Sequence, residues 1–346
     1  MKPTQHLRPD SEPYHQVLER AARDWGLESS RTRLLRDGLN HVYAAEREDG
    51  GEVVIRVSDA AHRSVEQIES ELFWLDHLSR HGCRVPTPVR TREGELLESF
   101  DQGERGFHVA LFERIAGHDL WCRYDVLSTP EFPRQIGKLV GRVHRLSEGL
   151  EFPADRERGE WYEETECMVP EHPADCYDLP TIEAMSSYQQ ALIEKSKRAD
   201  PRHYGLVHRD VTGLNLLYDR GELTLLDFEL GCRFWRVADL SPLLWVQFVV
   251  PSWQEDGADA EGARNFVRRF AEGYREEHPL DGEQLQLLPD LMPIREILFY
   301  VLAKPHVEKW DDAIPHSRVP LSETIAWMER RWQNGPPDYG FDFDGL

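Results

Sequence analysis

The sequence predicts an α+β fold in two parts, a small lobe rich in antiparallel strands and then a larger, mostly helical lobe. Three observations carry this reading. Short strand-like runs at 32–37, 40–48 and 52–57 are punctuated by Gly38 and by Asp49-Gly50-Gly51. Asp-Gly and Gly-Gly pairs favour hairpin turns, so 40–48 and 52–57 are expected to pair antiparallel. Residues 62–80 place Val65, Ile68, Leu72, Leu75 and Leu78 on one stripe of helical spacing, closed by Gly82 and Pro86. After Gly117 the character turns helical, with helices expected over 131–148 and 181–198 and from about 238 to the end.

Further strands near 88–91, 95–100 and 106–114 complete the first lobe, and a strand-rich patch at 204–228 interrupts the second. The boundary falls near residue 115: residues 1–115 form the first lobe and 116–346 the second. Loops longer than about 12–15 residues are uncommon unless functional. The stretch 149–180, with Trp161, Tyr162 and several glutamates, therefore reads as a surface insertion or as a lid over a substrate.

The chain has 346 residues, enough for two cores, with 40% hydrophobic and 30% charged residues, as in a soluble globular protein. No run of about 18 apolar residues exists to span a bilayer. The most apolar stretch, residues 243–250, is short, contains Gln247 and stops at Pro251. The N-terminal residues MKPTQHLRPD lack the apolar core of a signal peptide, so the expected compartment is the cytoplasm, with no membrane partner.

Cys83, Cys122, Cys167, Cys176 and Cys232 are odd in number and include no CxxC pair, which fits reduced thiols. Cys167, His172 and Cys176 fall short of the four ligands of a structural zinc. The net charge of −22, from 63 acidic and 41 basic residues, repels nucleic acid and anionic lipid. It reads first as a solubilising surface and leaves a cationic substrate open.

The chemistry lies in LVHRDVTGLNLLYDRGELTLLDFE, residues 206–229. An apolar strand delivers His208-Arg209-Asp210 into a loop, and Asn215 follows five residues after Asp210. Two short apolar runs joined by Asp219-Arg220-Gly221 would pair antiparallel and bring the Asn215 and Asp227 ends together. Asn and Asp oxygens suit Mg²⁺ held jointly with substrate phosphates. Asp210 is then placed to accept the proton of an attacking hydroxyl.

This arrangement resembles the catalytic and metal-binding loops of protein-kinase-like enzymes, and specifically the aminoglycoside phosphotransferase and choline kinase-like family. Glu229 follows Asp227-Phe228 where eukaryotic-type protein kinases usually have glycine, no Ala-Pro-Glu element follows, and Arg236-Val237-Ala238-Asp239-Leu240 resembles the family's Asp-Leu-Ala element. Arg209 stands where the family usually has glycine, and Thr212-Gly213 replaces the frequent His-Pro. His144, in GKLVGRVHRL, resembles a helix histidine of structural role. The resemblance implies a protein-kinase-like fold, ATP and Mg²⁺ as cofactors, Asp210 as the catalytic residue and Asn215 and Asp227 as metal ligands.

It also implies nucleotide contacts in the first lobe. Asp37-Gly38-Leu39-Asn40 occupies the family's nucleotide-positioning loop, where Gly38 permits close backbone approach and Asn40 can donate to a phosphate. Arg56 stands where the family's lysine is expected, keeping the charge and adding a planar fork. Its partner on the 62–80 helix would be Glu71, with Glu69 the competitor. Residues 107–117 resemble the hinge, with the backbone of Glu113 and Ile115 meeting the adenine edge.

The function expected is therefore transfer of the ATP γ-phosphate to a hydroxyl of a small molecule, an amine or amino alcohol among the options. A bacterial stress-type protein serine/threonine kinase and a non-catalytic nucleotide-binding regulator are the alternatives, the latter opposed by intact Asp210, Asn215 and Asp227. Trp161, Trp235, Trp245, Trp253 and Trp310, with the acidic excess, suggest an aromatic, anionic pocket for an amine, although tryptophans also serve as core. That pocket is expected between the Asp210 loop and the helices after Asp239, with Trp235, Trp245 or Trp310 in its wall.

Overall fold

The computed structural model describes residues 12–346 apart from 29–31, 39, 103–104, 121–125, 127–128, 155, 164–166, 172, 251–258 and 311–319. Leu39, Cys122, His172 and Trp253 lie outside the described residues, as does the side chain of Trp310. The chain divides into two compact units, Met1–Gly117 with Glu151–Glu157, and His118–Leu150 with Arg158–Leu346.

The first unit opens with a helix absent from the expectations above, α1 (Glu12–Trp25). Then come β1 (Arg33–Arg36), β2 (Asn40–Glu46), β3 (Glu52–Asp59), α2 (Val65–Arg80), β4 (Pro88–Val89), β5 (Glu98–Gln102) and β6 (Arg105–Glu113). The antiparallel sheet runs β1-β2-β3-β6-β4, with β5 also on β6. Strand alternation sends Val53, Ile55 and Val57 to one face, where α1 covers them with Tyr14, Val17, Leu18, Ala21 and Trp25. Arg56 lies on the other face, opposite Val42 and Ala110. A capping box between Ser64 and Gln67 starts α2 at Val65, three residues later than the apolar stripe alone suggested.

The second unit contains β7 (His118–Asp119), α3 (Glu131–Ser147), α4 (Leu179–Ser196), β8 (Tyr204–Val207), β9 (Leu216–Asp219), β10 (Glu222–Leu225), β11 (Cys232–Trp235), α5 (Ala260–Tyr274), α6 (Leu288–Ala303) and α7 (Leu321–Trp332). Strands β10, β9 and β7 form one small sheet, and β11 and β8 a second. The β9–β10 hairpin turns on Arg220 and Gly221, whose φ angles of 49° and 94° are those of a primed two-residue turn.

Helices α3 and α5 touch backbone to backbone. A Cβ on Gly137 would lie 2.0 Å from the Phe270 carbonyl oxygen, and one on Gly273 would lie 1.9 Å from that of Arg134. Only glycine permits this approach, and it brings Tyr274 beside His144. Helix α6 is buried around most of its circumference. Its Glu296, fully buried, accepts from the indole N–H of Trp332 (3.0 Å), the indole N–H of Trp245 (3.2 Å) and the hydroxyl of Tyr339 (2.9 Å).

Residues 158–163 lie against β11. The Trp161 amide donates to the Arg233 carbonyl at 3.1 Å, the Arg233 amide donates to the Gly159 carbonyl at 2.9 Å, and the Trp161 ring is buried against Phe234. They form a strap along β11. No helix among the described residues is long and apolar enough to cross a membrane. Cys83, Cys167 and Cys232 are buried and Cys176 is exposed, none of them in a disulfide. Among the described residues no cluster of three or more His, Cys, Asp or Glu could hold a metal ion.

Candidate active site

Strand β8 ends at Val207 and releases the chain into the loop that carries Asp210. Two of its amides are held by one carboxylate: Asp239 Oδ2 accepts from His208 N–H at 2.9 Å and Oδ1 from Arg209 N–H at 2.6 Å. That grip offsets a strained backbone. Arg209 has a φ of 70°, a value that favours glycine. The His144 Nε2–H donates to Asp239 at 3.0 Å, and the Tyr274 hydroxyl donates to His144 Nδ1 at 2.7 Å. Burial alone would push the Asp239 carboxyl upward, but these donors outweigh it and hold it below the usual carboxylate range. Burial pushes His144 down, so the ring is neutral and serves as a donor to the anion.

His208 sets the loop's second half. The Asp210 amide donates to its Nδ1 at 3.2 Å, which puts the ring proton on Nε2, and that N–H donates to the Leu226 carbonyl at 2.7 Å. The imidazole therefore joins the Asp210 loop to the Asp227 loop, with Phe228 edge-on against it at 4.7 Å between ring centres. The role is scaffolding.

Asp210 is half-buried and directly engaged at both carboxylate oxygens. Asn215 Nδ2 donates to Oδ2 at 2.8 Å and to the Asp210 carbonyl at 2.9 Å. Because this nitrogen is committed to Asp210, the Asn215 Oδ1 is the atom presented as a cation ligand, and the donor chemistry fits Mg²⁺. The other oxygen, Oδ1, accepts from Arg295 Nη1 at 2.8 Å. Arg295 stands on α6, 85 residues from Asp210, and no motif announced it.

The second carboxylate follows β10. Asp227 has a φ of 62°, another left-handed non-glycine residue. Such a conformation persists where neighbours over-determine it. The Leu226 amide donates to the Asn215 carbonyl at 2.8 Å, and the Leu226 carbonyl accepts from His208. On the far side, buried Arg158 donates to the carbonyls of Phe228 (3.2 Å), Glu229 (3.1 Å) and Gly231 (2.9 Å). Arg158, from the 158–163 strap, is a second residue that sequence reasoning missed.

In the first unit, Arg56 forks onto Glu71 with bonds of 2.7 and 2.8 Å and lies over the Phe112 ring. Glu69 turns instead to Arg156 at 2.9 Å. Asn40 Oδ1 accepts from the Ser58 hydroxyl at 2.7 Å. Gly38 has no left-handed φ, and an added Cβ would meet only ordinary contacts at 3.7 Å and beyond, so the turn itself does not require glycine. The Glu113 amide donates to the Thr87 carbonyl at 2.9 Å and its side chain pairs with Arg47 at 2.7 Å. Ile115 follows β6, partly exposed.

Of the tryptophans expected in the acceptor pocket, two have described side chains after the Asp210 loop. Trp235 is buried against Tyr204 and Phe234, and buried Trp245 donates to Glu296. Both build the core. The group that meets Asp210 is a cation, Arg295, rather than an acid or an indole.

The sequence profile of the Phosphotransferase enzyme family matches residues 31–280. The chain belongs to this family. It is a phosphotransferase with a small-molecule hydroxyl as acceptor. It is 29% identical over 337 residues to amicoumacin kinase of Bacillus subtilis, covering 96% of this chain and 95% of that protein. It is 25% identical over 230 residues to homoserine kinase of Pseudomonas aeruginosa, covering 66% of each. Among solved structures, amicoumacin kinase hAmiN in complex with AMP-PNP, Ca²⁺ and Ami superposes with a TM-score of 0.80 at 26% identity, covering 95% of each chain. A microcompartment-associated aminopropanol kinase superposes with a TM-score of 0.65 at 20% identity, covering 92% of this chain and 97% of that one, and shares the protein-kinase-like fold.

Proposed function

We propose that this phosphotransferase uses Mg·ATP to phosphorylate a hydroxyl on a small nitrogen-bearing molecule, with amicoumacin the first acceptor to test. The observation that carries the reading is the double hydrogen bond of Asn215 to Asp210, which fixes a base and a metal-ligand oxygen side by side. The full-length likeness to amicoumacin kinase supports the acceptor.

Asp210 accepts the acceptor's hydroxyl proton as that oxygen attacks the γ-phosphorus. A new P–O bond forms, the bond to the bridging oxygen breaks, and ADP leaves. Phosphoryl transfer needs positioning and charge neutralisation more than covalent help. Asn215 Oδ1 and Asp227 would hold the cation, which supplies charge neutralisation on the phosphates. Arg56, held by Glu71, takes a nucleotide phosphate through its charge. Asn40 Nδ2 and the backbone at Gly38 are assigned to the phosphates, and the Glu113 carbonyl and Ile115 amide to the adenine edge.

Calorimetry with ATP, with and without magnesium, tests the nucleotide half. Mass spectrometry of amicoumacin, aminopropanol and homoserine after incubation with Mg·ATP tests transfer. Absence of binding at millimolar Mg·ATP would end the kinase reading.

A further inference from the structure

We infer that Arg295 is a specificity residue that reads a carbonyl oxygen of the acceptor, carboxylate or carboxamide, carried close to the hydroxyl that is phosphorylated. This rests on the kinase reading above and names the acceptor class within it.

The position is set by the fold. Arg295 lies on α6 beside Glu296, whose three buried donors tie that helix to Trp245, Trp332 and Tyr339. The side chain is 12% exposed and its guanidinium reaches Asp210 Oδ1 at 2.8 Å. It offers five N–H donors in a planar fork. Among the described residues it makes that one hydrogen bond, and its buried Nε has no partner. A half-buried guanidinium whose Nε is buried without a partner is incompletely satisfied. A group with two acceptor lone pairs, presented by the substrate, satisfies it.

The distance to the reacting hydroxyl follows. Asp210 must come within about 2.6–3.2 Å of that hydroxyl to take its proton. Arg295 Nη1 is 2.8 Å from the same carboxylate. An oxygen on the acceptor that bonds Arg295 therefore lies within three hydrogen-bond lengths, roughly 8 Å, of the hydroxyl oxygen, a span met by groups a few carbons apart. A hydroxy acid, a hydroxy amide or a hydroxy amino acid meets this condition. A plain amino alcohol carries an ammonium instead, which Arg295 repels.

The test compares kcat/KM for matched acceptors in wild type, Arg295→Lys and Arg295→Gln. Carbonyl-bearing probes are L-homoserine, L-serinamide and amicoumacin; carbonyl-free probes are 1-amino-2-propanol and choline. Wild type is expected to favour the carbonyl-bearing class by about 10- to 100-fold, the range of lost charge-assisted bonds. Arg295→Gln should erase most of that preference through KM, and Arg295→Lys, with charge but no fork, should restore part of it. Retained Mg·ATP affinity shows that each variant is folded. Equal use of both classes by wild type overturns the inference, and so does a uniform fall in kcat for both classes in Arg295→Gln, which would leave Arg295 a mere support of Asp210. Binding of Mg·ATP without transfer to any probe also rejects it, while leaving the nucleotide half of the kinase reading intact. Loss of Mg·ATP binding in wild type rejects that reading itself.

Discussion

Arg56 and Glu71 meet through two parallel hydrogen bonds of 2.7 and 2.8 Å, a planar fork on a carboxylate, with Glu71 almost wholly buried on α2. The geometry is bidentate, which lysine cannot reproduce. Removing one partner of a buried pair strands the other charge, at about 3–5 kcal/mol. Glu71→Ala should therefore lower unfolding free energy by roughly 3 kcal/mol in chemical denaturation. Arg56→Lys should fold but bind Mg·ATP more weakly, by about tenfold in calorimetry. Unchanged affinity in Arg56→Lys would remove Arg56 from the nucleotide site.

The two site carboxylates should separate by role. Asp210→Asn removes the proton acceptor yet keeps the shape that Asn215 and Arg295 contact. Its turnover should fall by at least about 100-fold, the scale of general-base catalysis, with Mg·ATP affinity nearly intact. Asp227→Ala removes a cation ligand and should weaken Mg·ATP binding itself. Equal loss of nucleotide affinity in both variants would contradict this division.

The parts legible in the sequence are those encoded locally. Asp210, Asn215 and Asp227 sit within one strand–turn–strand unit, so spacing alone brings them together. Arg56 and Glu71 are 15 residues apart on adjacent elements. The helix α1 left a readable trace, Tyr14, Val17, Leu18, Ala21 and Trp25 at helical spacing. Arg158 and Arg295 left none. Each reaches its partners over 70 residues or more, and in a sequence each looks like any surface arginine. Trp245 shows the same limit: an indole in a helical lobe packs inward by default, and Trp245 does so on the buried Glu296.

Arg158 gives a test of how the metal-binding loop is held. Its guanidinium binds three carbonyls just beyond Asp227, whose backbone is left-handed. Without that grip the strained turn can relax and carry the Asp227 carboxylate away from its position. Arg158→Met should raise the KM for Mg·ATP by about tenfold, as expected for loss of charge-assisted bonds. Excess Mg²⁺ should recover part of the activity, and acceptor KM should change little. A defect confined to acceptor KM would refute the clamp.

The last prediction concerns acid. Asp239 and His144 are both fully buried, and both titrate below their ordinary values of 3.8 and 6.5. The unfolded chain takes up a proton on His144 near 6.5, while burial in the folded chain resists it. Its contribution to stability is therefore fully present above 6.5 and is lost progressively as pH falls from there toward its lower folded value. Asp239, ionised by the N–H donors of His144, His208 and Arg209, contributes stability above 3.8 that is lost as pH falls through its depressed folded value. His108 and His278 are also pushed down, chiefly by burial, and add to the histidine part with the same sign. The four groups act together, so the melting temperature should be level near pH 7 and decline steadily below 6.5. His144→Gln should melt lower at neutral pH, because Asp239 loses a donor, yet show a shallower decline between about pH 6.5 and 5. A melting temperature that rises on acidification over that interval would contradict the neutral, buried His144. An unaltered slope in His144→Gln would assign the acid sensitivity to the other histidines.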